Sequence, residues 1–237
     1  MRIHYLENLA TAGIGNIADW ARSRQHTLHA TRLHAGDALP DLARVDLLIV
    51  LGGVPQDCTA WIDTEIAFIR EAVHAGKAVL GICLGSQLLA EALGGQLVPA
   101  THAESGWWPV RLRDGAQAHP LLQGVPESNT LFFFHRNTFT MPQGCVWLAQ
   151  TSACAHQMYA YGDRVLGIQA HPEIQDEGIA YLAMHKADSL PVGPYTGLRP
   201  SDAGRADYLF RAKAMLFHVL SNMEAIMREA PTNAVRS

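Results

Sequence analysis

An α/β fold is predicted: a mostly parallel central sheet flanked by helices, with additional antiparallel strands. Three observations lead there. In the first half of the chain, short apolar runs alternate with longer segments of helical period. From Gly95 onward the texture changes to short strand-like pieces separated by Gly and Pro. After His171 two helical stretches close the pattern.

The elements follow in order. Strands are expected at Arg2 to Leu6, Thr27 to Leu33, Asp46 to Leu51 and Ala78 to Ile82, where β-branched and apolar side chains run together. Helices are expected between them, at Ile14 to Arg24 and Thr59 to Ala75. The second has acids at Asp63 and Glu65 in its first turns and Gly76 just past its end. A third helical pattern runs from Gln87 to Leu93. The antiparallel additions are expected at Gln96 to Pro99, Pro109 to Arg113, Thr130 to Phe134, Val146 to Gln150, Gln157 to Tyr161 and Val165 to Gln169. Two helices at Asp176 to Lys186 and Asp202 to Glu229 flank a Pro/Gly-rich connection from Pro191 to Pro200, and the last residues are expected to fray. The 237 residues suit one domain, with a core over about residues 1–190 and a helical extension over about 200–230.

Composition narrows the function classes. With 49% hydrophobic and 17% charged residues the chain has ample material for a core, and its net charge of −4 contains no basic block to grip nucleic acid or an anionic membrane. The longest apolar runs fall short of the ~18 residues of a spanning helix. An acid, Glu7, interrupts the N-terminal segment before a secretory apolar region forms. Four scattered cysteines, Cys58, Cys83, Cys145 and Cys154, read as free thiols of a reducing compartment, so a cytoplasmic location is expected.

The chemistry concentrates on Cys83. Gly81-Ile82-Cys83-Leu84-Gly85-Ser86-Gln87 joins a buried strand to a helix, and small residues two before and two after the cysteine allow a sharp turn that lifts a nucleophile clear of the sheet. At that corner the thiol faces the positive end of the following helix, which favours thiolate, and the Leu84 N–H points toward a forming oxyanion. A buried, idle cysteine is the bland alternative. Such a nucleophile needs an imidazole and something to orient it. His171 ends the run Val165 to Ala170, where open α/β sheets place their sites, and Glu173 follows two residues on. The same His-Pro-Glu also matches half of a zinc-deaminase signature, but no Pro-Cys-x-x-Cys accompanies it, so neither metal nor cofactor is expected. Gly13-Ile14-Gly15-Asn16-Ile17-Ala18 tempts a dinucleotide reading, yet no acid ends the next strand. A tight turn with weak anion-binding potential is the better reading. Gly52-Gly53, at a strand's carboxyl end, lets backbone amides approach a ligand closely, or is simply a sharp turn before Pro55.

Taken together, Leu51-Gly52-Gly53, the Cys83 turn and Gly167-Ile168-Gln169-Ala170-His171-Pro172-Glu173 resemble the class I (triad) glutamine amidotransferase family. Glu104-Ser105-Gly106-Trp107-Trp108-Pro109-Val110 resembles a stretch of its stand-alone, GMP-synthase-like members. The resemblance implies a flavodoxin-like sheet and a Cys83 nucleophile, with His171 as base and acid and Glu173 as orienter. It implies an oxyanion hole from the Gly53 and Leu84 amides, and help from Gln87 in holding substrate. It implies hydrolysis of the glutamine side-chain amide to glutamate and ammonia, the ammonia passing to a separate synthase. The family's usual Trp-His-Gly-Asp-Thr-Phe, which helps seat the amino-acid end of the substrate, here reads Phe134-His135-Arg136-Asn137-Thr138-Phe139, and Ala170 stands where Phe is usual. His135, Arg136 and Asn137 are therefore the candidate substrate-binding residues. Alternative readings are a γ-glutamyl peptide or amide hydrolase on the same triad and a regulatory relative without turnover.

Overall fold

The fold is organised by one twisted sheet of nine strands, in the order β2-β1-β3-β4-β9-β8-β7-β5-β6, seen in a computed structural model that describes residues 1–229. The expected frayed end lies outside those residues. Strands β1 (Arg2–Glu7), β2 (Thr27–Arg32), β3 (Leu47–Val50), β4 (Ala78–Ile82) and β9 (Val165–Ile168) are parallel neighbours. Strands β5 (Leu97–Leu112), β6 (Ser128–Phe139), β7 (Cys145–Gln150) and β8 (Met158–Tyr161) complete it in antiparallel fashion.

The parallel half is buried on both faces, which is why β3 and β4 read as unbroken apolar runs. Leu47 and Ile49 of β3, with Ala78, Leu80 and Ile82 of β4, face one core. There they meet Ile17 and Trp20 of α1 (Asn16–Ser23) and Met215, Leu216, Val219 and Leu220 of α5 (Ala206–Glu229). Leu48, Val50 and Val79 face the other, against Phe68 and Ile69 of α2 (Ile62–His74) and Leu88 and Leu89 of α3 (Leu84–Ala92). The period of two in the strands thus sorts the helices into two layers. A smaller third cluster joins Phe132 of β6 to Ile179 and Ala183 of α4 (Asp176–His185) and to Leu198.

Boundaries moved where polar turns compete with periodicity. The expected strands Gln96 to Pro99 and Pro109 to Arg113 are the two ends of one sixteen-residue strand, β5, whose pairing with β6 shifts register between Pro99 and Glu104 and then resumes. Both prolines survive in this strand, although Pro is ordinarily a break signal. Helix α2 starts at Ile62 rather than Thr59, because Pro55 to Asp57 form a tight turn and Trp61 N donates to Cys58 O. Helix α5 starts at Ala206 rather than Asp202, since the Asp202 carboxylate accepts from Arg199 N at 2.7 Å and Gly204 turns left-handed at φ +75°.

Candidate active site

Three strand ends meet at the site: Gly52-Gly53 after β3, Cys83 after β4 and His171 three residues beyond β9. This is the carboxyl edge of the parallel half, where open α/β sheets hold ligands.

Cys83 sits at φ +50°, ψ −111°, one of two non-glycine residues with positive φ among the described residues. An L-residue avoids that region, so the surroundings must enforce it. They do so by close approach. A Cβ on Gly81 would lie 2.5 Å from Gly85 O, and one on Gly85 would lie 2.0 Å from Val50 O, so neither position of the turn admits a side chain. Helix α3 then begins directly at Leu84, three residues earlier than expected, with Ser86 N and Gln87 N both donating to Cys83 O. The two N–H groups ahead of these, on Leu84 and Gly85, come too early in the helix to bond within it, and they lie at its positive end beside Cys83. Tyr159 was not foreseen: its ring fills the space over Gly167, and its hydroxyl donates to Ser86 O at 2.7 Å, bracing the first turn of α3 from below.

His171 is anchored by its backbone, whose N–H donates to Phe132 O at 2.8 Å. Its Nδ1 lies 2.8 Å from Glu173 Oε1. Gly52 packs against both residues: a Cβ there would stand 3.2 Å from His171 Cε1, a tight contact, and 3.6 Å from Cys83 Cβ, an ordinary one. Burial penalises the imidazolium. The charges and hydrogen bonds of Cys83 and Glu173 outweigh it and hold the His171 pKa well above its ordinary 6.5. A ring with these two partners can hold and release a proton. Cys83 itself is 5% exposed, and its sulfur faces Phe134 O at 3.9 Å.

Gly53 is packed between two side chains: an added Cβ would come within 2.8 Å of Asn8 Cβ and 3.0 Å of Leu84 Cδ2. Gly53 and Leu84 are thus neighbours beside Cys83. Behind them lies a buried polar group that sequence reasoning missed. Asn8 Nδ2 donates to Glu65 Oε1 at 2.9 Å, and Trp61 Nε1 donates to Asn8 Oδ1 at 2.8 Å.

The expected substrate-binding residues divide. Gln87 is buried, and its Nε2 donates to Asn137 O at 3.0 Å and Gln169 Oε1 at 2.9 Å, so both amide protons are spent on the protein. His135 is buried too, with Nδ1 2.9 Å from Asn137 O and Nε2 3.0 Å from Glu104 Oε2. Glu104 is fully buried and also accepts from Thr151 Oγ1 and Gln157 Nε2. Asn137 thereby offers its carbonyl to two side chains. Arg136 is exposed and, among the described residues, has neither an ion pair nor a side-chain hydrogen bond. Also among the described residues, no group of three or more His, Cys, Asp or Glu side chains is placed to hold a metal ion, and no helix is long and apolar enough to cross a membrane.

Comparison with known proteins places this geometry in context. The family model described as glutamine amidotransferase class-I matches residues 12–182. The glutamine amidotransferase-like protein YfeJ of Salmonella typhimurium is 32% identical over 198 residues, covering 80% of this chain and 83% of that protein. A GMP synthase [glutamine-hydrolyzing] of Streptococcus equi subsp. zooepidemicus is 34% identical over 132 residues, 54% of this chain but only 24% of the synthase. Among solved structures, a glutamine amidotransferase from Methylobacillus flagellatus superposes with a TM-score of 0.82 at 25% identity, over 99% of both chains.

Proposed function

Because the chain belongs to the class-I glutamine amidotransferase family, we propose that it is a cysteine-dependent amidase whose nucleophile is Cys83, whose acid and base is His171 and whose orienting carboxylate is Glu173. One observation carries the reading: a cysteine forced into the left-handed region at a strand-to-helix corner, beside an imidazole that a carboxylate holds at 2.8 Å. The strained backbone at that corner is the conformation that presents a nucleophile at a strand-to-helix turn, which supports the role given to Cys83.

The Cys83 thiolate adds to the side-chain amide carbon of glutamine. The oxygen takes up the negative charge between the Gly53 and Leu84 N–H groups, where fixed dipoles stabilise it without rearranging. The tetrahedral adduct collapses as the His171 imidazolium gives its proton to the nitrogen, which leaves as ammonia, and a glutamyl thioester remains. Water then attacks the thioester while neutral His171 takes its proton, and the thiolate departs to leave glutamate. The raised His171 pKa supports the first half, which needs a charged ring at neutral pH. Glu173 fixes the ring's tautomer and balances its charge. The ammonia goes to a synthase outside this chain. In the Streptococcus relative the matching region is about a quarter of a protein named as a glutamine-hydrolyzing GMP synthase, which supports separating hydrolysis from ammonia use. The whole chain is read as one amidotransferase unit.

A second reading, γ-glutamyl peptide or amide hydrolysis on the same triad, is favoured by Arg136, a cation without a counter-ion among the described residues, on the strand that touches the nucleophile. The test is glutamate release from glutamine and a panel of γ-glutamyl compounds by the purified protein, with Cys83→Ala, His171→Ala and Glu173→Gln. The first two should lose turnover and the third should retain a residual rate. Near-wild-type rates for His171→Ala would refute the assignment of the base.

A further inference from the structure

The glycine turn that opens α1 has no part in the chemistry above, yet it lies against the catalytic segment. Gly15 is left-handed at φ +50°, and a Cβ on it would lie 2.1 Å from the carbonyl oxygen of Glu173. That contact leaves no room for any side chain. The next residue, Asn16, donates its backbone N–H to Glu173 O at 2.8 Å and its side-chain Nδ2 to Ile174 O at 3.2 Å and Pro172 O at 3.4 Å. One buried residue therefore holds three consecutive carbonyls, on both sides of the Glu173 Cα.

The Glu173 carboxylate needs that hold. Its Oε1 meets His171, but its buried Oε2 has no hydrogen-bond partner among the described residues. Among the described residues no second side-chain hydrogen bond fixes its direction. What fixes it is the backbone from which it projects, and Asn16 fixes that backbone. We propose that Asn16, admitted by Gly15, is the positioning residue of Glu173: it sets the peptide planes of Pro172, Glu173 and Ile174 so that the carboxylate stays on His171 Nδ1. The proposal rests on the reading of Glu173 as the orienter of His171. It gives a role to a glycine turn otherwise readable as a degenerate nucleotide loop, and it ties the first βα unit to a catalytic segment more than 150 residues away.

The test is a double-mutant cycle in the full chain, using glutamine or whichever γ-glutamyl compound the wild type hydrolyses best. Asn16→Ala should lower kcat by ~10- to 100-fold, the loss expected when a reacting group is displaced by about an ångström, with KM changed less than about twofold. In Asn16→Ala/Glu173→Gln the loss should equal that of Glu173→Gln alone, because Asn16 acts only through the carboxylate. Losses that multiply would show an effect independent of Glu173 and overturn the proposal, as would a kcat unchanged in Asn16→Ala. A wild-type rate for Glu173→Gln would instead overturn the triad reading on which it stands. If the alanine variant does not fold, Asn16→Ser, which keeps one donor, carries the same cycle with a smaller loss.

Discussion

The buried acid behind Gly53 makes a quantitative prediction. Glu65 is fully buried, and its only partner among the described residues is Asn8, through Oε1; Oε2 has none. Burial, partly offset by that hydrogen bond, pushes its pKa from 4.5 up to about 7. This is the reverse of an ion-paired carboxylate. The folded chain keeps a proton that the unfolded chain releases, so stability falls as pH rises from about 4.5 to about 7 and stays reduced above. At 1.36 kcal/mol per pH unit the full loss is about 3 kcal/mol. Glu65→Gln cannot titrate, and its amide oxygen still accepts from Asn8. Its idle NH2 replaces an equally idle carboxyl hydroxyl. Urea unfolding at pH 8 should therefore show the glutamine variant more stable by about 3 kcal/mol, a gain of roughly 6–12 °C in Tm for a protein of this size. At pH 4.5 the two proteins should unfold at nearly the same midpoint. Equal midpoints at pH 8, or a variant destabilised at both pH values, would refute the reasoning.

Other outcomes follow from the same geometry. Cys83 should be the first thiol alkylated by limiting iodoacetamide near pH 7.5. Burial, aided by the charges of Glu65 and Asp57, lifts Cys58 to about 12, and burial lifts Cys145 to about 11 and also raises Cys154, so mapping the label to any of those three would contradict the site. Gly52→Ala should cut kcat/KM by ~10-fold or more by wedging a methyl group against the His171 ring, while urea unfolding shows a far smaller change than a core truncation; an unchanged rate would show that the ring can move aside. Arg136→Gly with Asn137→Asp removes a cation and restores an anion, and should raise kcat/KM for glutamine relative to a γ-glutamyl dipeptide by about tenfold, the worth of one charged contact. An unchanged ratio would mean these positions do not meet substrate.

How much of this was legible in the sequence depends on the range of the interaction. The parallel half was, because its strands are buried on both faces and their apolar runs are local facts, and the Cys83 corner was, because the two glycines it needs lie within two residues of it. The antiparallel half was legible only in pieces. Strand β5 carries two prolines and a register shift, and what joins its ends is pairing to β6, a partner some thirty residues away. The supports of the site were the least visible. Tyr159 under the α3 turn, Asn8 and Glu65 behind Gly53 and Asn16 beneath Glu173 are each ordinary in local sequence. Their roles exist only after the sheet has assembled.

That assembly also explains why the site needs both halves of the sheet. Strand β6 is last in the sheet order, far from β4 and β9 by pairing. Yet Phe132 O accepts from His171 N, and Phe134 O faces the Cys83 sulfur. The antiparallel strands therefore curl back until their last member closes over the carboxyl edge of the parallel ones. Past that contact, Gln87 and His135 both hold Asn137 O, and Glu104 holds His135 from behind, so β6 is fixed at four points between residues 132 and 137. Arg136 lies inside this fixed span with an exposed side chain. In a strand, side chains two apart share a face, which puts Arg136 on the face of Phe134, about 7 Å along from the residue whose carbonyl meets the thiol. A clamped strand with an exposed cation at that distance leaves the geometry around the Cys83 sulfur to the clamped residues. On the proposed reading, substrate choice is left to Arg136. Changes at Arg136 should accordingly move the preference among γ-glutamyl compounds and leave the order of bond making untouched.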